Sequence, residues 1–184
     1  WMPDEAAAVT GATLALLLGL VDKSLVRAAE HGRFDLHELV RQYAAEQLAA
    51  SGEAPLLRQR HYTAYLQFLR NADSHLRRPE AATWLARLLP EQDNLRAALQ
   101  WALDEERYED AAWLMVAIHY FWYLSGHRFE GARWLARLLP HRHLLANDLR
   151  LATLICFHMF ESEESQALDR YSGEILQLAE SSAE

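Results

Sequence analysis

What this sequence has little of narrows it first. It carries one cysteine, Cys156. No intrachain disulfide is therefore possible, and this usage fits a reducing cytoplasm, where the chain is expected to reside. Basic residues are outnumbered: 18 Lys and Arg stand against 26 Asp and Glu, for a formal net charge of -8. Neutralising a phosphate backbone needs a clustered excess of Lys and Arg, so direct DNA contact by this chain is a minority expectation. Long apolar runs are also missing. The longest, near 14–21, falls short of the roughly 20 residues that a helix needs to cross a bilayer, so no membrane partner is expected. The first residues, Trp1-Met2-Pro3-Asp4-Glu5, lack the basic leader of a signal peptide. No Gly-x-x-x-x-Gly-Lys-Ser/Thr, Gly-x-Ser-x-Gly, His-Glu-x-x-His or Cys-x-x-Cys occurs anywhere. By itself the chain is expected to have no catalytic activity, no metal and no cofactor.

What is present is an apolar half, 51% of the residues, enough for a sizeable core in one domain or two small ones. The stretch 16–48, LLLGLVDKSLVRAAEHGRFDLHELVRQYAAEQL, reads as helix, short hairpin, helix. Before it, a short helix is expected over 4–9, and the apolar helix over 12–24. Two extended pieces, 25–28 and 33–36, flank Glu30-His31-Gly32, and a glycine-bearing loop between such pieces signals a hairpin. From Leu36 the period becomes helical. Leu36, Leu39, Val40, Tyr43, Ala44 and Leu48 share one face, expected to be buried, while Glu38, Arg41, Gln42 and Glu46 take the other.

LVDKSLV followed by GRFDLHELVRQYAAEQL resembles the winged-helix module of STAND-type signalling ATPases, which include the NB-ARC proteins and many large bacterial transcriptional regulators. The likeness covers roughly residues 1–48. In that family the module follows a nucleotide-binding domain, and a Met-His-Asp-like motif places a histidine on the β-phosphate of ADP. Here Leu36-His37-Glu38 stands in that place: the histidine is kept, while Leu replaces Met and Glu replaces Asp. The resemblance therefore implies a nucleotide-sensing role for His37 alone. It also implies that the chain is a piece of a longer protein. An upstream nucleotide-binding domain, with ADP or ATP and Mg, would then precede a winged helix truncated at its N-terminus.

Ser51-Gly52 and Pro55 mark a break, which divides the chain into a winged-helix module over 1–50 and a helical domain over 55–184. Beyond the break every period is helical. Tyr62, Tyr65, Leu66 and Leu69 share a face. Trp84, Leu85, Leu88 and Leu89 form a stripe closed by Pro90, and Asp93 is a candidate cap for the next helix. Residues 108–124 form a long apolar helix stopped by Ser125-Gly126.

The sequence then repeats itself. PEAATWLARLLP at 79–90 matches FEGARWLARLLP at 129–140, and a weaker echo links Asn94-Leu95-Arg96-Ala97-Ala98 to Asp148-Leu149-Arg150-Leu151-Ala152. A third helix follows each copy, from Tyr108 and from Glu164, the latter with Leu168, Tyr171, Ile175 and Leu178 in phase. Repeated helices on short connectors indicate an α-solenoid, because one hairpin cannot bury its own apolar face. The Tyr-Glu-Asp-Ala-Ala and Phe-Glu-Gly-Ala-Arg stretches resemble tetratricopeptide (TPR) turns, with small residues where helices cross closely, but the repeat length departs from that period. The fold class expected is mainly α: a partial winged helix with one short β-hairpin, followed by a TPR-like α-solenoid. In STAND regulators such repeats act as sensor and autoinhibitory region.

Each candidate group has a plain structural alternative. A histidine opening a helix can simply be exposed or bonded to a loop. For His37 the case for more is that an imidazolium donates a charge-assisted hydrogen bond to a phosphate oxygen. Asp22-Lys23-Ser24 lies where a DNA-binding winged helix would carry basic residues, but leucine dominates there, and packing against neighbouring domains is favoured. Trp113, Tyr120, Trp122 and Tyr123 are either core or the wall of a groove for a protein or small-molecule inducer, with Trp122 pointing away from the stripe of Trp113, Tyr120 and Leu124. His141-Arg142-His143 lacks a third ligand at metal spacing. Glu161, Glu163 and Glu164 suit a solvated helix start. The function expected is regulatory: coupling nucleotide state to inducer or partner binding within a transcriptional regulator. A free-standing TPR-like interaction scaffold is the alternative, and a DNA-binding winged-helix protein the next.

Overall fold

In a computed structural model, which describes residues 1–160 and 167–181 (backbone only for 167–170), the chain is mainly α-helical with one small two-stranded antiparallel sheet. The expected acidic run at Glu161, Glu163 and Glu164 lies outside the described residues. The chain forms two compact units, Trp1–Tyr65 and Leu66–Glu184. The dividing point falls inside a helix, ten residues or more past the break at Gly52.

The first unit opens with α1 (Pro3–Thr10) and α2 (Leu14–Asp22). Pro3 suits the first turn, where its missing N–H has no partner to lose. Gly11 ends α1 at φ 75°, and the Thr13 hydroxyl accepts from Leu16 N to start α2. Strands β1 (Arg27–Ala28) and β2 (Phe34–Asp35) pair Arg27 with Asp35 and Ala28 with Phe34. Their connection is a tight turn, Glu30–Gly32, in which His31 at φ 59° and Gly32 at φ 74° adopt left-handed conformations. The core is small: Leu17, Val26 and Phe34, with Trp1, Leu20, Val21 and Leu36 packed around them.

Helix α3 (Glu38–Ser51) follows the hairpin and ends at Gly52 in the left-handed region. Its expected apolar face is present but not buried. No α3 residue is buried, and Leu39 and Tyr43 are 69% and 62% exposed. The periodicity identified the helix correctly; its face simply finds no covering surface among the described residues. Helix α4 (Ala54–Leu76) starts a residue before Pro55, so this proline sits in a first turn instead of stopping anything. Tyr62, Tyr65 and Leu69 are buried along it.

In the second unit, α5 (Ala81–Leu88), α6 (Gln92–Asp104) and α7 (Tyr108–Leu124) are followed by α8 (Arg128–Leu138), α9 (Asn147–Phe160) and α10 (Ala167–Ser181). Asp93 lies inside the first turn of α6, not at its cap, and bonds Arg96 instead. Each copy of the repeated segment forms a helix that tightens into a 3₁₀ turn at Leu-Pro, from Leu89 and from Leu139. Helix α6 packs on α7, α7 on α8 and α9, α8 on α9, and α9 on α10. Trp122, Phe121, Leu135, Leu138 and Leu154 are sealed in this core. No single helix among the described residues is long and apolar enough to cross a membrane.

Candidate functional site

His37 is the residue just before α3, with extended backbone at φ -60° and ψ 142°. Its side chain is exposed and makes no cap hydrogen bond to the helix. No side chain caps the first N–H groups of α3 and an imidazole stands beside them, which favours an anion, while the Glu38 carboxylate of the same turn acts against one. What fixes this corner is Asp35, two residues earlier. Its Oδ2 accepts from Arg27 Nη2 at 2.9 Å across the hairpin, and its Oδ1 accepts from Arg41 Nη2 at 2.9 Å and from Leu36 N at 2.8 Å. One carboxylate therefore ties β1, β2 and α3 together. Burial works to raise its pKa, but the Leu36 N–H and the two guanidiniums outweigh it and hold the carboxyl below its ordinary range. Sequence reasoning missed Asp35. The signal was available in the hairpin register, which sets Asp35 directly opposite Arg27.

The four candidate aromatic residues of α7, Trp113, Tyr120, Trp122 and Tyr123, do not form one surface. Trp122 is fully buried, its indole Nε1 without a hydrogen-bond partner among the described residues. It belongs to the core and is removed from the candidate groove. Trp113 and Tyr123 are 39% and 44% exposed, and Tyr120 is half-buried. Each of these three rings carries a guanidinium: Arg70 lies 4.9 Å from the Trp113 centroid, Arg77 4.4 Å from Tyr120, and Arg128 5.8 Å from Tyr123. Tyr120 and Tyr123 also stack, with centroids 6.3 Å apart. The exposed stripe is therefore a mixed aromatic and cationic surface. Beneath it, His119 is buried and bonds Val116 O at 2.6 Å through Nδ1, and burial pushes its pKa down. Burial likewise pushes the Cys156 thiol up to about 12, so it stays protonated and unreactive.

His141 stacks on Tyr108 with centroids 3.9 Å apart, which accounts for it as a packing residue. Among the described residues no group of His, Cys, Asp and Glu is arranged to hold a metal.

The chain is similar to proteins of Mycobacterium bovis and of two strains of Mycobacterium tuberculosis, each named a "Putative HTH-type transcriptional regulator". Each is 39% identical over 114 residues, covering 59% of this chain. The matched part is 12% of the length of these relatives, so the chain spans a small fraction of the proteins it resembles. No family model matches the chain, and no solved structure matches it.

Proposed function

We propose that this chain is a regulatory segment of a transcriptional regulator built on a STAND-type signalling ATPase. In this proposal the helix–hairpin–helix unit reports nucleotide state to the helical repeats, which receive an inducer or partner. The observation that carries it is His37, exposed just before α3 on a corner braced by Asp35, where an incoming phosphate would meet both an imidazole and helix N–H groups that the cap side chain leaves unbonded. Two further observations support it. The relatives are much longer proteins named as transcriptional regulators. The unit also exposes Leu14, Leu16, Leu18, Leu39 and Tyr43, more apolar surface than a free-standing module of this size would be expected to leave in water. A nucleotide-binding domain of the same protein is the proposed cover. The exposed stripe Trp113, Tyr120 and Tyr123 is the proposed partner surface of the repeats, and no catalytic residue is proposed in this chain.

The test is made on the full-length protein. His37→Ala should speed ADP release and raise basal transcriptional output. An unchanged ADP off-rate together with unchanged basal output would remove the proposal.

The relatives' names favour one second reading, direct DNA contact by the helix–hairpin–helix unit. The surface of α2 speaks against it, since the side chains it exposes are mainly leucine, with Lys23 just beyond its end. Salt-dependent DNA binding by this chain alone would revive that reading.

A further inference from the structure

The two copies of Trp-Leu-Ala-Arg-Leu-Leu-Pro offer a comparison within one molecule. In the first copy, Trp84 is buried and carries three partners, one of them the Phe68 ring of α4, tilted against it with centroids 6.1 Å apart. The Arg87 guanidinium lies 4.2 Å from the Trp84 ring centroid, and the His75 imidazole of α4 stacks on the indole at 4.8 Å with planes 27° apart. In the second copy the arginine is kept: Arg137 lies 5.0 Å from the Trp134 centroid. The flat ring is not: among the described residues no aromatic ring or imidazole stacks on Trp134. Beside Trp134 is an open groove of about 300 Å³ lined by Glu130, Arg133, Trp134 and Arg137. That is the lower end of the range for small-molecule sites.

The walls of this groove are already held. Glu130 accepts from Arg96 Nε at 2.6 Å and Nη2 at 2.8 Å, and Trp134 Nε1 donates to it at 3.4 Å. Arg137 donates to Gln100 Oε1 at 2.8 Å and pairs with Asp104 at 3.5 Å. Arg133, which replaces Thr83 of the first copy, is exposed and makes no hydrogen bond, ion pair or ring contact among the described residues. Among the described residues the groove therefore offers an unstacked indole, polar side chains already engaged and one guanidinium without a partner.

We propose that this groove is a binding site for a small aromatic carboxylate, its ring on Trp134 where His75 sits on Trp84, and its carboxylate on Arg133. The first copy shows that the Trp/Arg pair accepts a planar ring. Arg133, unpartnered among the described residues, adds the preference for an anion, because guanidinium and carboxylate meet in a fork of two parallel hydrogen bonds. The site does not depend on the nucleotide reading of His37, and it is tested on this chain alone.

The experiment follows the indole N–H resonances of the six tryptophans by heteronuclear NMR, with the Trp134 peak assigned from Trp134→Phe. Benzoate should shift the Trp134 peak selectively, with a Kd on the order of 1 mM. Cyclohexanecarboxylate, which keeps the charge and loses the flat ring, should bind about tenfold more weakly, as should benzyl alcohol, which loses the charge. Arg133→Ala, a change at an exposed position that should leave the fold intact, should weaken benzoate about tenfold. A Trp134 peak that does not move up to about 20 mM benzoate would overturn the proposal. So would equal shifts at all the tryptophans, or equal affinity in Arg133→Ala. Imidazole binding as tightly as benzoate would overturn the anion preference, and with it the assignment to Arg133.

Discussion

Glu130 accepts hydrogen bonds from two sides, the Arg96 guanidinium of α6 and the indole of its own helix. Its side chain is only 14% exposed. The Arg96 bond is the main cause that holds its pKa below the ordinary 4.5, against a smaller rise from burial. Because the folded value is the lower one, the pair stabilises the fold above about pH 4.5, and that contribution is lost as pH falls through the folded pKa. Glu130→Gln should cost about 1–3 kcal/mol at pH 7, and the gap to the native chain should close in acid. Urea unfolding across pH 2–7 measures both, and a gap that persists at about pH 2 would disprove the linkage. The sequence showed neither partner. Arg96 and Glu130 are 34 positions apart, and only the packing of the second unit brings them together. His37 differs: a local motif pointed to it, and its exposure at a helix start depends on the hairpin and the cap, both local.

Among the elements, the α8–α9 crossing depends on Gly131. A methyl there would lie 2.7 and 2.8 Å from Cζ and Cδ2 of Phe160, and closer still to Cε2. The ring belongs to a buried residue and has little room to retreat. Gly131→Ala gains helix propensity of up to about 1 kcal/mol, but overpacking of this kind costs about 1–3 kcal/mol. The expected net result is destabilisation in chemical denaturation, relieved in the double variant Gly131→Ala/Phe160→Leu. A stabilised single variant would contradict the close crossing. The Phe-Glu-Gly-Ala-Arg stretch had suggested small residues where helices meet, so this feature was legible in kind. The partner, Phe160, was not. The hairpin was legible too, because its turn needs a left-handed residue next to a glycine and the sequence supplies His31-Gly32.

For the molecule as a whole, the distribution of apolar surface separates the first unit from the second. In the first, Leu17 is 4% exposed while its neighbours Leu16 and Leu18 are 54% and 49% exposed. Leu16→Ser and Leu39→Ser should each change the unfolding free energy by less than about 0.5 kcal/mol. Leu17→Ala should cost about 2–5 kcal/mol. The two exposed substitutions should also reduce binding of a hydrophobic dye to the native chain. Large destabilisation by Leu16→Ser would mean that this leucine is core, and would take away the surface proposed for a covering domain. Sequence periodicity could not foresee this outcome, because it finds an apolar face without telling what lies against it.

The sequence by itself determined the helices, the glycine stops at Gly52 and Gly126 and the hairpin, since glycines and apolar period act over a few residues. It also wrote the same seven letters, WLARLLP, in two places, and both copies fold alike into a helix and a 3₁₀ turn. Only the tertiary structure decided which side of each copy is inside. In the first copy the tryptophan is buried and Leu89 is 45% exposed, whereas in the second the tryptophan is partly open and Leu139 is 3% exposed. Local chemistry sets the backbone of a helix. The face it buries is set by the neighbour that arrives, and that neighbour is distant in the chain.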